Sequence, residues 1–130
     1  MWLVDSSVWI GYFNGVATPQ TDRLDAALGH EPLCLGDLIL CEVLQGFQSQ
    51  SEFEQAKTAL LSLPIYALGG MKIAMQSADH YRTLRRQGVT VRKTIDCLIA
   101  TFAIINGMWL LHSDRDFYPF ETYLGLKVVH

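Results

Sequence analysis

The sequence predicts an α/β fold, in which a central, mostly parallel sheet is flanked by helices as an α/β/α sandwich. Short apolar segments of strand length alternate along the chain with longer segments whose apolar residues repeat at helical spacing. Half of the 130 residues are hydrophobic, which excludes an intrinsically disordered chain and supplies enough apolar surface for a core. No linker or repeat interrupts the chain, so we expect residues 1–130 to form a single domain.

Six elements are expected in the first half of the chain. Its helices are indicated by side chains that can accept hydrogen bonds from the free amides of a first turn, and by the glycines or proline that follow. The expected N-caps are Ser6 and Ser7, Thr18, Asp37, and Ser51 within a capping box. In chain order the elements are a strand over 2–4, helices over 8–13 and 19–28, a strand over 33–35, and helices over 38–47 and 52–63.

Five further elements are expected in the second half. A Gly69-Gly70 turn separates a strand from a long helix, and Thr94 is the expected cap of the helix after that. In chain order the elements are a strand over 65–68, helices over 71–87 and 95–106, and strands over 109–111 and 126–129.

Five carboxylates stand out by their positions. Asp5 directly follows the first strand, and Asp114 and Asp116 lie just past the strand over 109–111. Asp96 lies in the first turn of an otherwise apolar helix, and Glu42 is a charge inside an apolar helical run. Because ligands of a parallel α/β sheet bind beyond the carboxyl ends of its strands, we expect these acids to converge there.

Most of these acids also have a purely structural interpretation. Asp96 could complement the dipole of its helix, Asp114 could be an ordinary N-cap, and Glu42 could lie on the solvent face of its helix. Asp5 is harder to explain in this way, since an acid that ends a buried strand has few structural roles. Taken together, the structural interpretations are less convincing, because unrelated causes would each have to place an acid at the same edge of the sheet.

Converging carboxylates repel one another, and a divalent cation removes that conflict. Oxygen ligands without histidine or cysteine select Mg²⁺ or Mn²⁺ over Zn²⁺. Such sites keep several waters and take further ligands from a substrate phosphate, so the expected chemistry is phosphoryl chemistry with a metal-bound water as the nucleophile.

The net charge of −3 excludes a globally basic nucleic-acid-binding protein but not a local basic face. Five of the ten basic residues fall within twelve positions: Arg82, Arg85, Arg86, Arg92 and Lys93. The first three share one helical face, and the last two stand immediately before the Asp96 helix. A phosphate backbone needs such a positive track, and a solvated helix face is the alternative interpretation.

The compartment is expected to be the cytoplasm. Cys34, Cys41 and Cys97 lie in apolar runs without a C-x-x-C pair, which is typical of small buried residues in a reduced core. The N-terminus has no basic segment typical of a signal peptide. The longest apolar stretch, Cys97–Ile105, is far shorter than the roughly 20 residues of a membrane span, so no membrane partner is expected.

Four segments, in order along the chain, resemble the motifs of PIN-domain ribonucleases. They are Leu3–Ile10, Glu42–Gly46, Asp96–Thr101 and Leu111–Phe117. Each is weak alone, but together they are specific and span essentially the whole chain. The length is similar to that of the VapC-type toxins of bacterial toxin–antitoxin pairs.

The resemblance implies a Rossmann-like sheet and an Mg²⁺-dependent or Mn²⁺-dependent endoribonuclease. By this resemblance Asp5 and Asp96 would be the main metal ligands, and Glu42 and Asp114 would complete an acidic quartet. Asp116 matches a more variable acid and ranks below Asp114. Supporting hydroxyls would come from Ser6 and Ser113, where the family usually has threonine at one or both positions.

The resemblance also implies partners. These are an RNA substrate, with transfer RNA as one class, a cognate VapB-type antitoxin that covers the active-site groove, and a second copy of the chain in a homodimer. Two other hypotheses stay open from the residues alone. One is phosphoryl transfer with Asp5 as the nucleophile, although Ser7 stands where haloacid-dehalogenase-type enzymes need an aspartate. The other is a non-catalytic RNA- or protein-binding module on the same fold.

Overall fold

Five parallel strands form the central sheet of the computed structural model, which describes residues 1–130. They are β1 (Trp2–Val4), β2 (Leu33–Gly36), β3 (Ile65–Tyr66), β4 (Trp109–Leu111) and β5 (Lys127–Val128). Their order across the sheet is β3-β2-β1-β4-β5, with Leu3 of β1 opposite Cys34 of β2 and Leu110 of β4. The predicted α/β fold is therefore confirmed, and the sheet is parallel throughout.

Seven α-helices connect these strands. They are α1 (Ser6–Phe13), α2 (Pro19–Ala27), α3 (Asp37–Leu44), α4 (Gln50–Leu60), α5 (Met71–Arg86), α6 (Thr94–Ile105) and α7 (Tyr118–Leu124), with a 3₁₀ turn at Arg115–Phe117. The chain moves outward from β1 to β3 and then returns to β4, so right-handed crossovers place α1–α4 and α5–α7 on opposite faces. The helix contacts agree with this arrangement, since α1 packs on α2 and α3 while α5 packs on α6 and α7.

The core is a single cluster of 27 buried apolar residues between the sheet and these helices. Leu3 and Val4 of β1 are fully buried, as are Leu110 and Leu111 of β4. Burial on both faces explains why these central strands are continuous apolar runs without alternation. No helix of the structure combines the length and the apolar character that crossing a membrane requires.

Two helices begin one position away from the expected cap, with consequences for the site. Asp5, not Ser6 or Ser7, caps α1, and its Oδ2 accepts the Ser7 amide at 3.1 Å. Lys93, not Thr94, stands at the cap position of α6 and makes no side-chain capping bond. Both cap residues have extended backbone while the residue after them is already helical, which is the geometry of an N-cap.

The starts of α3 and α4 also differ from expectation. Gly36 precedes α3, and the expected cap Asp37 is its first residue, with Oδ1 accepting the amide of Leu68 at 3.0 Å. Ser49, not Ser51, caps α4 by accepting the Glu52 amide at 3.3 Å. Local sequence offers several acceptors near each start, and the path of the preceding segment, β2 for α3 and the loop after α3 for α4, decides which one is used.

Three other expectations were wrong. The residues after β4 form α7, which was not predicted because Phe120 is its single fully buried anchor and gives little periodicity. The strand at 65–68 pairs only at Ile65–Tyr66. Cys41 is exposed, whereas Cys34 and Cys97 are buried as expected and all three thiols are free.

We predict that Gly36→Ala destabilises the protein. Gly36 ends β2 in a buried position, and a Cβ there would overlap with the fully buried side chain of Leu68. Displacing that side chain should lower the free energy of unfolding in urea by about 1–3 kcal/mol. Gly69→Ala is the matched control, because its Cβ would meet nothing within 4 Å and should change stability by less than about 0.5 kcal/mol. Equal stability of the two variants would contradict this packing.

Candidate metal centre

The carboxylates gather where the strand order reverses, between β1 and β4. Val4 lies opposite Leu111 at the carboxyl ends of these two strands, and the Asp5 amide donates to the Leu111 carbonyl at 2.9 Å. This ladder fixes the segment that follows β4 beside the residue that follows β1. A crevice at such a reversal is the general ligand site of parallel α/β sheets.

The tightest cluster of candidate ligands comprises Asp96, Asp114 and Asp116, each with one oxygen within 4.8 Å of the others. Asp96 lies in the first turn of α6 and is 5% exposed. Asp114 is half-buried and caps the 3₁₀ turn by accepting the Asp116 amide at 2.9 Å. Asp114 is therefore both an N-cap and a member of the cluster. Asp116, which the sequence ranked below Asp114, also belongs to the cluster.

Asp5 lies next to this cluster rather than within it. Only 3% of the residue is exposed, and its Oδ1 is buried without a hydrogen-bond partner. Oδ2 accepts from the hydroxyl and the amide of Ser7, at 2.6 and 3.1 Å. Burial raises the pKa of Asp5 above its usual value despite these hydrogen bonds. One of the two oxygens of this carboxylate therefore has hydrogen-bond donors, and the other has none.

Asp96 carries the clearest sign of electrostatic conflict. Burial raises the pKa of Asp96 to about 7, and repulsion from Asp5 adds to this effect while Lys93 opposes it. Its Oδ2 is buried without a partner, as Oδ1 of Asp5 is. Two unpaired buried carboxylate oxygens in an all-oxygen donor set fit a hard divalent cation.

Glu42 reaches the same site from α3. It is half-buried, so its helix position is not fully solvated, and its Oε1 accepts the Ser6 hydroxyl at 3.2 Å. Burial and then the charge of Asp5 raise the pKa of Glu42. Glu42 lies outside the 4.8 Å cluster, but its charge also contributes to the raised pKa of Asp96.

Ser7 is a site residue that the sequence did not single out. Its hydroxyl donates to Asp5 and accepts the Ser113 amide at 3.0 Å, joining the segments that follow β1 and β4. Ser113 thus contributes its backbone, and its side-chain hydroxyl makes no hydrogen bond within the protein. Two adjacent serines after Asp5 gave no local signal of which one would bridge, since that depends on where β4 delivers residue 113.

Two of the expected RNA-binding side chains contact the carboxylates. Arg92 donates to Asp116 Oδ1 at 2.7 Å, and Lys93 Nζ lies 3.9 Å from Asp114 Oδ2. Both cations are largely exposed, so each could exchange its carboxylate for another anion.

The other three basic residues lie on α5. Arg82 and Arg85 line a cavity of about 590 Å³ between α5 and α6, which also contains Thr94, two residues before Asp96. Arg86 instead donates to the neighbouring Thr83 hydroxyl at 3.2 Å and is exposed. None of the three forms an ion pair with an acid of the chain.

The histidines near the core are structural in character. His80 shares a 2.8 Å hydrogen bond with the Thr101 hydroxyl, and His112 Nδ1 accepts the Asp114 amide at 3.1 Å. Burial lowers the pKa of both imidazoles, which keeps them neutral at pH 7.

Known proteins share both the sequence and the fold. The family model of the PIN domain matches residues 2–121. Ribonuclease VapC11 of Mycobacterium tuberculosis is 30% identical over 119 residues, covering 90% of this chain and 89% of the relative. Among solved structures, VapBC2 from Rickettsia felis bound to a promoter DNA fragment gives a TM-score of 0.77 at 16% identity, over 98% of this chain and 96% of the other.

A third similar protein is VapC20 of Mycobacterium tuberculosis, a toxin that cleaves the sarcin–ricin loop. Its structure gives a TM-score of 0.67 at 13% identity and covers 91% of this chain and 93% of the other. The structural likenesses show the fold, and the family match and the 30% identity show descent. The chain therefore belongs to the PIN-domain family and, within it, to the VapC ribonucleases.

Proposed function

We propose that the chain is an endoribonuclease that uses Mg²⁺, with Mn²⁺ able to substitute, and that it is the toxin of a VapBC-type pair. The observation that carries the proposal is the cluster of Asp96, Asp114 and Asp116 beside Asp5, with two buried carboxylate oxygens lacking any partner. A structural role would have given those oxygens hydrogen-bond donors. Membership of the VapC ribonucleases supports the choice of RNA as the substrate.

The position of each acidic residue suggests its role in the proposed reaction. Asp5, Asp96, Asp114 and Asp116 would hold the cation, which would supply positive charge to the scissile phosphate and make a water more acidic. Glu42 lies on the α3 side and, held by the Ser6 hydroxyl, can orient a water or accept its proton. The raised pKa of Glu42 brings it closer to the range of an effective general base.

The basic residues would hold the RNA backbone. Arg92 and Lys93 stand at the rim of the acid cluster, where a phosphate could replace their present carboxylate partners. Arg82, Arg85 and Arg86 have no acidic partner and would extend the positive track along α5. Transfer RNA stays one candidate substrate class.

The proposal includes two protein partners. A VapB-type antitoxin is supported by the VapBC complexes among the structural neighbours. A homodimer in the cytoplasm is the expected assembly, and light scattering of the isolated chain would test it. The carboxylate chemistry described above is independent of either partner.

Asp5→Asn is predicted to abolish metal-dependent cleavage. The substitution removes the charge of a buried carboxylate while its shape is kept, so RNA cleavage in Mg²⁺ or Mn²⁺ should fall at least ~100-fold. EDTA should have the same effect on the unaltered chain. Asp22→Asn, on the exposed first turn of α2, is the control and should cleave normally. Undiminished cleavage by Asp5→Asn would refute the assigned chemistry.

Asp96→Asn is predicted to stabilise the metal-free protein above pH 7. The pKa of Asp96 is about 7 in the folded state against 3.8 when unperturbed, so the folded state binds more protons between these values. The free energy of unfolding of the unaltered chain should therefore fall as the pH rises from about 4 to about 7.

Asp96→Asn has no carboxylate to ionise at this position, so it should not lose stability between these pH values. At pH 8 its Tm should exceed that of the unaltered chain by about 3–8 °C, and the difference should vanish near pH 4. Mn²⁺ should raise the Tm of the unaltered chain and have little effect on the variant. If the variant is less stable than the unaltered chain at pH 8 without metal, the inferred repulsion among these acids is wrong.

A further inference from the structure

A cavity of about 270 Å³ lies between α2, the segment that follows β4, the start of α7 and the C-terminal residues 128–130. Its wall includes His112 and Ser113, the two residues that precede Asp114. Ser113 is tied through Ser7 to Asp5, and His112 is tied to the Asp114 amide. The cavity therefore shares its wall with the backbone that positions the carboxylates.

The lining of this cavity differs in charge from the rest of the chain. Its ten lining residues include one cation, Arg23, and no acid, although the chain as a whole has thirteen acids. Of its two histidines, His112 is neutral and His130 is paired with Glu121 at 3.1 Å, so Arg23 is the source of positive charge. Arg23 forms no ion pair, and its guanidinium carbon lies 5.2 Å from the centroid of the Trp2 ring. The local field thus favours an anionic or acceptor-rich ligand.

Tyr118 separates this cavity from a second one that holds Asp116. Its ring lines both cavities, and the second, of about 320 Å³, also contains Arg92. Phe120, two residues further along α7, is fully buried and closes the fold. Tyr118 is 58% exposed at the start of α7, so its ring is available to a ligand.

The wall of the cavity also includes polar side chains. His112 Nδ1 accepts the Asp114 amide, and its Nε2 is buried without a partner, so that atom is not exposed to the cavity. The hydroxyl of Ser113 is exposed at the rim. Apolar surface comes from Leu111, Val128 and Val129, and the cavity is slightly smaller than the roughly 300 Å³ of the smallest drug-sized sites.

We propose that this cavity binds one nucleotide of the RNA strand adjacent to the cleaved phosphodiester, with its base stacked on Tyr118 and its phosphate near Arg23. A planar base suits an exposed aromatic ring above an apolar floor, and base stacking on such rings is general in single-strand binding. The strand then runs from the Asp116 cavity across Tyr118 into this one. The inference rests on the proposed ribonuclease function.

The test measures the affinity of the full chain for a short fluorescein-labelled single-stranded RNA, without divalent metal, together with cleavage in Mn²⁺. Tyr118→Leu should weaken binding about 10-fold and raise KM, while kcat changes by less than about 3-fold. Tyr118→Phe keeps a ring and should recover most of the affinity. Tyr123→Leu, which removes another exposed tyrosine of α7 outside the cavity, is the matched control. Arg23→Gln should weaken binding and lower the salt dependence by about one counterion.

A second experiment removes the base at one position of the RNA at a time. At the position held in the cavity, loss of the base should weaken binding to the unaltered chain but cause no further loss in Tyr118→Leu. If the chain cleaves RNA and Tyr118→Leu binds and cleaves as Tyr123→Leu does, the cavity assignment is wrong and the ribonuclease function stands. If the unaltered chain neither binds nor cleaves RNA, both are overturned.

Discussion

Repulsion among carboxylates that are shielded from water is the interaction on which the functional end of this protein depends. Asp5 and Asp96 are nearly fully buried, and each keeps one oxygen without a hydrogen-bond partner. Burial raises the pKa of both, and the charge of Asp5 raises that of Asp96 further. A fold that needed only stability would have paired or removed these groups, so the conflict supports the proposed cation site.

The scaffold maintains this conflict through backbone contacts. Parallel pairing of β1 with β4 brings residue 5 beside residues 111–113, and Ser7 links the two segments through its hydroxyl. The first turn of α6 delivers Asp96 from the other direction, because a helix that leads back to β4 must begin at the carboxyl edge of the sheet. Each acid is therefore fixed by regular structure, which keeps the carboxylates close despite their repulsion.

The surroundings of the acids form two distinct surfaces. On one side Arg92 and Lys93 partly neutralise Asp116 and Asp114, and the arginines of α5 continue the positive charge. In the adjoining region, Arg23 and Tyr118 line a cavity that contains no acid, and Tyr118 also lines the cavity of Arg92 and Asp116. The small negative net charge thus arises in part from the acid cluster itself and does not describe the surfaces that flank it.

Local sequence determined the element types, the parallel α/β class and the acids to examine, because apolar strand runs, helical periodicity and acids after strands are short-range patterns. It also carried the motifs that place the chain among PIN-domain proteins. The tertiary structure alone decided which carboxylates share a cluster, that Ser7 bridges two strands, and that Tyr118 is exposed while Phe120 is buried. These outcomes depend on the strand order and on contacts between residues far apart in the sequence. Ser7 and Ser113, for example, are 106 positions apart, and a short-range sequence pattern cannot specify such a contact.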